Sequence, residues 1–459
     1  MAKRKPRPTL VRYTEVRTAA QRYESGKALR AKVPRAAHAK WQPAGRRDPI
    51  GLLVESDRAR VPELVPIRYG RMATSPFAFY RGSAALMAYD LRATPVSGIK
   101  AQLCGDAHLS NFGLFATPER HVIFDVNDFD ETLRGPWEWD VKRLAASCFI
   151  AARDNGFRRR QSRDIAQMSV RCYREHMQGL AKSGYLDAWY SRIDLRTALE
   201  IVPRSYAAAA HHELRATIHR TTHHGCPRFV VRKGGTFRIA NEVPLITHLQ
   251  NQEQARRLAQ DVIRYRVTLE NDRQEILSRY HLVDFATKVV GVGSVGTRCY
   301  VALLVGRDKN DTLLLQIKEA QASALEPYLG KSRYANHGER VVSGQRLMQA
   351  ASDIFLGWAR GLRHDYYVRQ LRDMKYSATV QTMNRRDLCD YAALCGRTLA
   401  RAHARSGDAA MIAGYLGNSD VFDRALASFA ETYGEQNEKD YGALLEAMRS
   451  RRLIAKRDL

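Results

Sequence analysis

Asp106, His108 and Asn111 fall within six residues of one another in "LCGDAHLSNFGLF" (Leu103–Phe115), a run that is otherwise apolar or small. An Asp and an Asn five residues apart can divide one task. The carboxylate orients an attacking hydroxyl or accepts its proton, and the amide oxygen holds a magnesium ion. A second stretch, "FDVNDFDE" (Phe124–Glu131), adds Asp125, Asp128 and Asp130 behind the strand-like lead-in "HVIFD". Hard oxygen ligands of this kind suit Mg²⁺. Turn residues, helix caps and a solvated loop are the plainer explanation for each carboxylate alone, but three so close together in an apolar setting favour a metal site.

A glycine turn lies far downstream. "GVGSVG" contains Gly291, Gly293, Ser294 and Gly296, with the spacing of loops whose backbone amides approach phosphate oxygens because no Cβ intervenes. A dinucleotide-binding loop would lead into a helix, whereas "TRCYVALLV" after this turn has strand character. Strand, glycine turn, strand, charged turn and a third strand carrying Lys318 form the order of a phosphate-covering hairpin followed by a lysine-bearing strand.

The elements that must position these residues are legible as patterns. "PFAFYRGSAALMAYDL" (Pro76–Leu91) predicts a turn entering an apolar-faced helix, and "GIKAQLCGDAH" a short strand feeding a loop. "PWEWDVKRLAASCFIAARDNG" (Pro136–Gly156) has helical spacing and a glycine stop, and more helix is expected through 158–184 and 187–215. "RFVVRKGGTFRIAN" alternates like a hairpin around Gly234 and Gly235. Helices are expected over "GERVVSGQRLMQAASDIFLGW" and "DLCDYAALCGRTLARAHARSG", with a strand at "DYYVRQLRDMK" between them. The organisation that follows is a basic arm and linker (1–48), a region of catalytic loop, acidic turn and helices (49–280), a nucleotide-covering region (281–380) and returning helices (381–459).

Composition narrows the partners. No apolar run approaches the roughly 20 residues needed to cross a bilayer, so a cytoplasmic, folded chain without a membrane span is expected. Seven cysteines are scattered singly, which suits reduced thiols rather than a disulfide frame or zinc pairs. The formal net charge of +26 calls for a polyanionic partner, a phosphorylated substrate or mere solubility, and the arm beginning "MAKRKPRP", with weak helical patterning over 13–32, is the densest basic run, either a contact for nucleic acid or a solvated, partly disordered tail. His219 and His223 have i, i+4 spacing but no further ligand motif, and solvated histidines are the expectation.

The motifs resemble known ones. "NDFDE" is similar to the Asp-Phe-Gly turn of protein kinases, with Asp130 where the Gly would stand, which makes Asp128 the metal-binding acid and leaves Asp125 and Asp130 able to share or replace that role. "GDAHLSNFGLF" resembles the H-G-D-x-H-x-x-N loop of aminoglycoside phosphotransferases and related small-molecule kinases, with Cys104 in place of the leading His. "VNDFDET" followed by "PWEWDVKRLA" resembles their metal-binding turn and the helix whose Asp, here Asp140, would brace the catalytic loop. Phe77–Ala146 together with "QIKEAQASALEPY" is also similar to the bacterial domain of unknown function 2252 family, over most of the chain after the arm.

In ordinary kinases the glycine loop and lysine precede the catalytic Asp, and here they follow it. The resemblance therefore implies an α+β, two-lobed, protein-kinase-like fold in circularly permuted order. It implies ATP and Mg²⁺ as cofactors and a hydroxyl acceptor, a small molecule before a protein. Lys318 would contact nucleotide phosphates and pair with Glu326, or second with Glu339. Asn111 and Asp128 would hold Mg²⁺, Asp106 would serve the acceptor hydroxyl, and His108, the second catalytic-loop residue, would brace the loop by a hydrogen bond before acting as an acid or base. A nucleotide-binding pseudokinase, a basic scaffold contacting nucleic acid, nucleotidyl transfer and metal-dependent hydrolysis are the alternatives.

Overall fold

The computed structural model describes residues 16–43, 45–201, 230–233, 236–243, 245–249, 251–289, 291, 293, 295–308, 311–371 and 376–456. Ser294, His219 and His223 lie outside these residues, as do Gly234 and Gly235. The architecture is mixed α+β, built on an open antiparallel sheet and a helical body.

Four short strands frame the two motifs read from the sequence. β1 (Lys100–Leu103) enters the Asp106 loop and β2 (Phe112–Ala116) leaves it; β3 (Val122–Val126) enters the acidic turn and β4 (Leu133–Pro136) leaves it. β2 pairs with β3 through Phe112↔Val126, and β1 pairs with β4 through Leu103↔Leu133. The result is one hairpin nested in another, with both loops emerging at the same end. β5 (Ile193–Asp194) extends the inner pair by pairing with β3. β6 (Val230–Lys233) and β7 (Thr236–Ile239) form the expected hairpin.

The larger sheet has the order β12-β13-β11-β10-β9-β8, made of β8 (Ile246–His248), β9 (His281–Lys288), β10 (Cys299–Val305), β11 (Thr312–Ala320), β12 (Gly357–Arg360) and β13 (Asp365–Gln370). Its strands alternate between two faces, as a pleated backbone requires. Tyr300, Ala302 and Leu304 of β10 join Leu258 and Tyr265 of the Gln252–Arg266 helix in one apolar cluster; Val301 and Leu303 join Ile239, Ile246 and Leu371 in another. The same alternation sets Lys318 on the opposite face of β11 from Ile317, directly across from Tyr367 of β13.

The helical body holds Glu138–Asp154, Arg159–Leu180, Arg385–Ser406 and Val421–Arg449 around a core that includes Trp137, Tyr173, Leu399 and Phe422. Trp137 stacks on Tyr173 at 5.6 Å between ring centroids, so the aromatics of "PWEWD" are packing groups. The cysteines described are free thiols, Cys389 half-buried and the rest buried.

Three expectations are corrected. The Pro76–Leu91 run forms two helices, Pro76–Gly82 and Ala84–Leu91, divided at Ser83. The helix expected over 338–358 is His337–Met348. It ends there because the next amides and side chains serve β3: Ala350 N–H donates to Asp125 Oδ2 (2.8 Å) and Gln349 Nε2 to the Val126 carbonyl (2.7 Å).

The third concerns the arm, which is not a free tail over its described part. The Ala19–Ala28 helix docks on Ala409–Leu416 at a crossing so close that a Cβ on Gly26 would stand 2.0 Å from the Met411 carbonyl oxygen, and one on Gly414 2.0 Å from that of Tyr23. Arg47, at the supposed linker, donates to Asp90 (2.7 and 2.9 Å) and to Asp440 (2.7 and 2.5 Å), with all three side chains almost wholly buried. Removing one member of a buried ion group leaves uncompensated charge. Arg47→Ala is therefore expected to lose about 3–5 kcal/mol, read as a fall in the urea midpoint; a loss under about 1 kcal/mol would return this segment to the status of a linker.

Candidate functional site

The Asp106 loop is braced from below. Asp140, in the first turn of Glu138–Asp154, accepts hydrogen bonds from the backbone amides of Cys104 (2.8 Å) and Gly105 (3.0 Å). His403 stands between Asp140 Oδ2 (3.3 Å) and the Tyr173 hydroxyl (2.9 Å). Gly105 has φ +84°, and a Cβ there would stand 2.2 Å from the Glu131 carbonyl oxygen, so only glycine lets this loop lie against the acidic turn. The Asn127 amide completes the seam by donating to the Asn111 carbonyl (2.8 Å).

Within the loop, the Asp106 carbonyl accepts from the His108 amide (2.8 Å) and from Asn111 Nδ2 (2.9 Å). This fixes the Asn111 side chain by its nitrogen, and Oδ1 is the atom a cation would take. The Asp106 carboxylate is clamped by Arg143 through Nε (2.8 Å) and Nη2 (2.6 Å). Burial pushes Asp106 above the usual carboxylate range, and the Arg143 charge and hydrogen bonds offset part of that rise. Arg143 follows Asp140 by three residues, so one helix face braces the loop and holds its acid.

His108 is buried, and burial together with the charges of Arg81 and Arg143 pushes its pKa well below 6.5. It is a neutral imidazole at pH 7. Nε2 lies 3.6 Å from Asp106 Oδ2, beyond hydrogen-bond length. The expected brace is thus made by the His108 amide, Asp140 and Arg143, not by the ring.

The three carboxylates of the acidic stretch have different fates. Asp125 is fully buried and accepts from Arg401 Nη2 (2.5 Å), Ala350 N–H (2.8 Å) and Val126 N–H (2.8 Å); its oxygens hold structure together, and it leaves the metal set. Asp130 accepts from Lys318 Nζ and from the Tyr367 hydroxyl (2.8 Å). Burial opposes its charge, yet Lys318 and these hydrogen bonds hold it below the usual range; in return Asp130 raises Lys318 against the same penalty. Asp128 receives the Asp130 amide on Oδ1 (3.1 Å) and is pushed up by burial and by the Asp130 charge.

The expected lysine partners are corrected accordingly. Glu326 faces Arg340 Nε (3.9 Å) and His337 Nδ1 (4.0 Å), and Glu339 begins its helix with its amide capped by Asn336 (3.0 Å). The residue that the His337–Met348 helix sends to the acidic turn is Arg340, which donates to the carbonyls of Thr132 (2.6 Å), Asp130 (2.8 Å) and Gln321 (2.7 Å).

The glycine turn comes to the same place. The Gly296 carbonyl accepts from Val61 N–H (2.8 Å) and the Val295 carbonyl from Arg60 Nη1 (2.5 Å). A Cβ on Gly293 would stand 3.2 Å from the Arg81 carbonyl oxygen, and the Arg81 side chain belongs to the electrostatic surroundings of Asp106 and His108. Lys318, Gly293, Gly296, Asp106, Asn111, Asp128 and Asp130 thus converge, although Lys318 and Asp130 are separated by 188 residues. Among the described residues nothing lies within 4 Å of a Cβ built on Gly291.

Among the described residues no group of three or more His, Cys, Asp or Glu is disposed to hold a metal ion. Asn111 and Asp128 supply two hard oxygen donors, and the negative charge that raises Asp128 is of the kind a cation relieves. Such a pair fits Mg²⁺ carried by phosphates, which keeps waters and takes one or two protein carboxylates, and does not fit a closed all-protein cage.

This α+β fold and converged site belong to a chain with a recognisable family. The profile of the family described as an uncharacterized protein conserved in bacteria (DUF2252) matches residues 60–447, and the chain belongs to that family. No curated protein and no solved structure matches it. Among the described residues no helix is long and apolar enough to cross a membrane.

The two acids should separate by stability. A carboxyl with a raised folded pKa binds more protons folded than unfolded, so its contribution falls as pH rises from 3.8 through the folded value. Asp128→Asn is therefore expected to raise the urea midpoint at pH 7, with the gain vanishing below about pH 4. Asp125→Asn, which breaks the pair with Arg401, is expected to lose about 3–5 kcal/mol. The same direction in both variants would overturn the assignment of one acid to a site and the other to the core.

Proposed function

We propose that this chain is an ATP- and Mg²⁺-dependent phosphotransferase of permuted protein-kinase-like fold acting on a hydroxyl acceptor, a small molecule before a protein. The observation that carries the reading is the contact of Lys318 with Asp130, which joins the sheet bearing the glycine turn to the loop bearing Asp106 and Asn111. Either half alone is a weak motif, whereas their meeting is not required by any local pattern. The end of Arg385–Ser406 supports the permuted order: Ser406 Oγ accepts from the Gln102 amide (3.1 Å), and a Cβ on Gly407 would stand 3.0 Å from that of Ala101. That helix therefore ends against the strand leading into the Asp106 loop, where an unpermuted kinase would run straight on.

The roles follow from the geometry. Asp106, held by Arg143 and raised by burial, orients the acceptor hydroxyl and takes its proton. Lys318, with Arg369 on the same face two residues beyond Tyr367, supplies positive charge to nucleotide phosphates, and the amides of the glycine turn cover them. Asn111 and Asp128 would hold Mg²⁺, which supplies charge neutralisation on the phosphates when bound. Asp130 keeps Lys318 in place, so the lysine is oriented by the acidic turn itself. Positioning and electrostatics of this kind are most of what phosphoryl transfer asks of a protein.

A ligand that binds only the folded chain raises its melting midpoint. ATP with Mg²⁺ is expected to raise that of the wild type, and Lys318→Ala and Asp128→Ala to abolish the shift; no shift in a folded wild type sinks the reading. Asp106→Asn is expected to keep the shift and lose turnover by at least about 100-fold. Because Asp106 must be ionised to accept a proton and its pKa is raised, the acid limb of kcat/KM should lie above pH 3.8.

A further inference from the structure

Arg81 closes the short helix Pro76–Gly82 and is claimed by neither the family motifs nor the brace of the catalytic loop. Its backbone carbonyl touches the glycine turn at Gly293, at 3.2 Å from an ideal Cβ. Its half-buried side chain lies in the field of Asp106 and His108. Arg143 is committed to the Asp106 carboxylate by two hydrogen bonds, and Lys318 to Asp130. Arg81 has no such commitment: among the described residues its guanidinium makes no hydrogen bond or ion pair, and burial lowers its pKa with only the charge of Asp106 to offset it.

A guanidinium is planar, carries five donors in a fork and matches phosphate oxygens in pairs. Half-buried and without a protein acceptor, the Arg81 fork is free to take one that a ligand brings. Its location selects the ligand. On the phosphotransferase reading, the glycine turn covers the donor phosphates and Asp106 receives the acceptor, so a residue that touches the turn and neighbours Asp106 lies between donor and acceptor.

Resting on that reading, we propose that Arg81 binds the phosphoryl group in flight, an arginine finger supplied by the chain itself. In the step, the acceptor oxygen forms a bond to the terminal phosphorus and the bond from that phosphorus to the bridging oxygen breaks. ADP leaves with the electron pair, and the acceptor proton passes to Asp106. Negative charge on the transferring oxygens is then met by the Arg81 fork. His108, kept neutral beside it, adds no competing positive charge and leaves a buried Nδ1 without a hydrogen-bond partner in the same surroundings.

The test compares ground-state and transition-state ligands on the full chain by calorimetry: ADP with Mg²⁺, and ADP with Mg²⁺ and aluminium fluoride. Transition-state analogues bind roughly 100-fold or more tighter than ground-state ligands when the protein makes contacts specific to that state. Wild type is expected to show that gain, Arg81→Ala to lose it while holding ADP with Mg²⁺ within about threefold, and Arg81→Lys to recover part of it. Phosphate release from ATP, with water as acceptor, should fall at least about 100-fold in kcat in Arg81→Ala with KM little changed.

Equal aluminium fluoride gains in wild type and Arg81→Ala, or no gain in a wild type that binds ADP, overturn the assignment and leave the phosphotransferase reading standing. A fall in ADP affinity of the same size as the fall in the analogue's makes Arg81 a ground-state contact and overturns the assignment too. Absence of any nucleotide binding by the wild type removes both. Urea midpoints of the two Arg81 variants exclude unfolding as the cause of a loss.

Discussion

A lysine on a sheet and an aspartate on a turn, far apart in the chain, meet where water is largely excluded. Removing both charges from water is costly, and their attraction repays that only when the remaining hydrogen-bonding capacity is met. Here Tyr367 donates to the second Asp130 oxygen, and the Asp130 backbone is gripped by Arg340. The pair is thus the centre of a network in which the sheet and the His337–Met348 helix contribute the donors and the acidic turn the acceptors. With it the sheet that bears the glycine turn is tied directly to the acidic turn beside the Asp106 loop.

The network also separates three acids that share one short stretch. Asp125 lies on β3 and serves Arg401 inside the helical body, Asp130 serves the sheet, and Asp128 between them carries the charge that neither cation neutralises fully. A carboxyl raised by burial and a neighbouring charge is the kind of group that functional sites concentrate. The raised carboxyl of Asp128 is consistent with a site that takes a ligand bearing positive charge.

Much of this was legible before any coordinates. The short strand before Asp106, the strand-favouring residues of "TRCYVALLV" and the glycine stop after Asp154 come from local rules, and each led to an element that the structure contains. Asp140 and Arg143, three apart at the start of a helix, were equally legible as a shared face, but only Asp140 was read. The lysine partner was not legible: Glu326, Glu339 and Asp130 are all carboxylates within chain reach of a turn or helix, and only the packing of Arg340 decides between them. Arg81, Arg369 and Arg401 were hidden for a related reason. In a chain with 74 Lys and Arg, charge alone marks no single arginine, and burial is what distinguishes these.

The nested hairpins give the molecule one further property. The Asp106 loop and the acidic turn hang from the same four strands, and the inner pair is joined by a short exposed connection at 118–121, with Arg120 at φ +66°. Because β2 and β3 are locked by Phe112↔Val126 at the loop end, residues gained or lost at the far end leave the separation of Asp106 and Asp128 untouched. The architecture uncouples chain length from the spacing of the two loops, and it places tolerance to insertion at the hairpin tip opposite them.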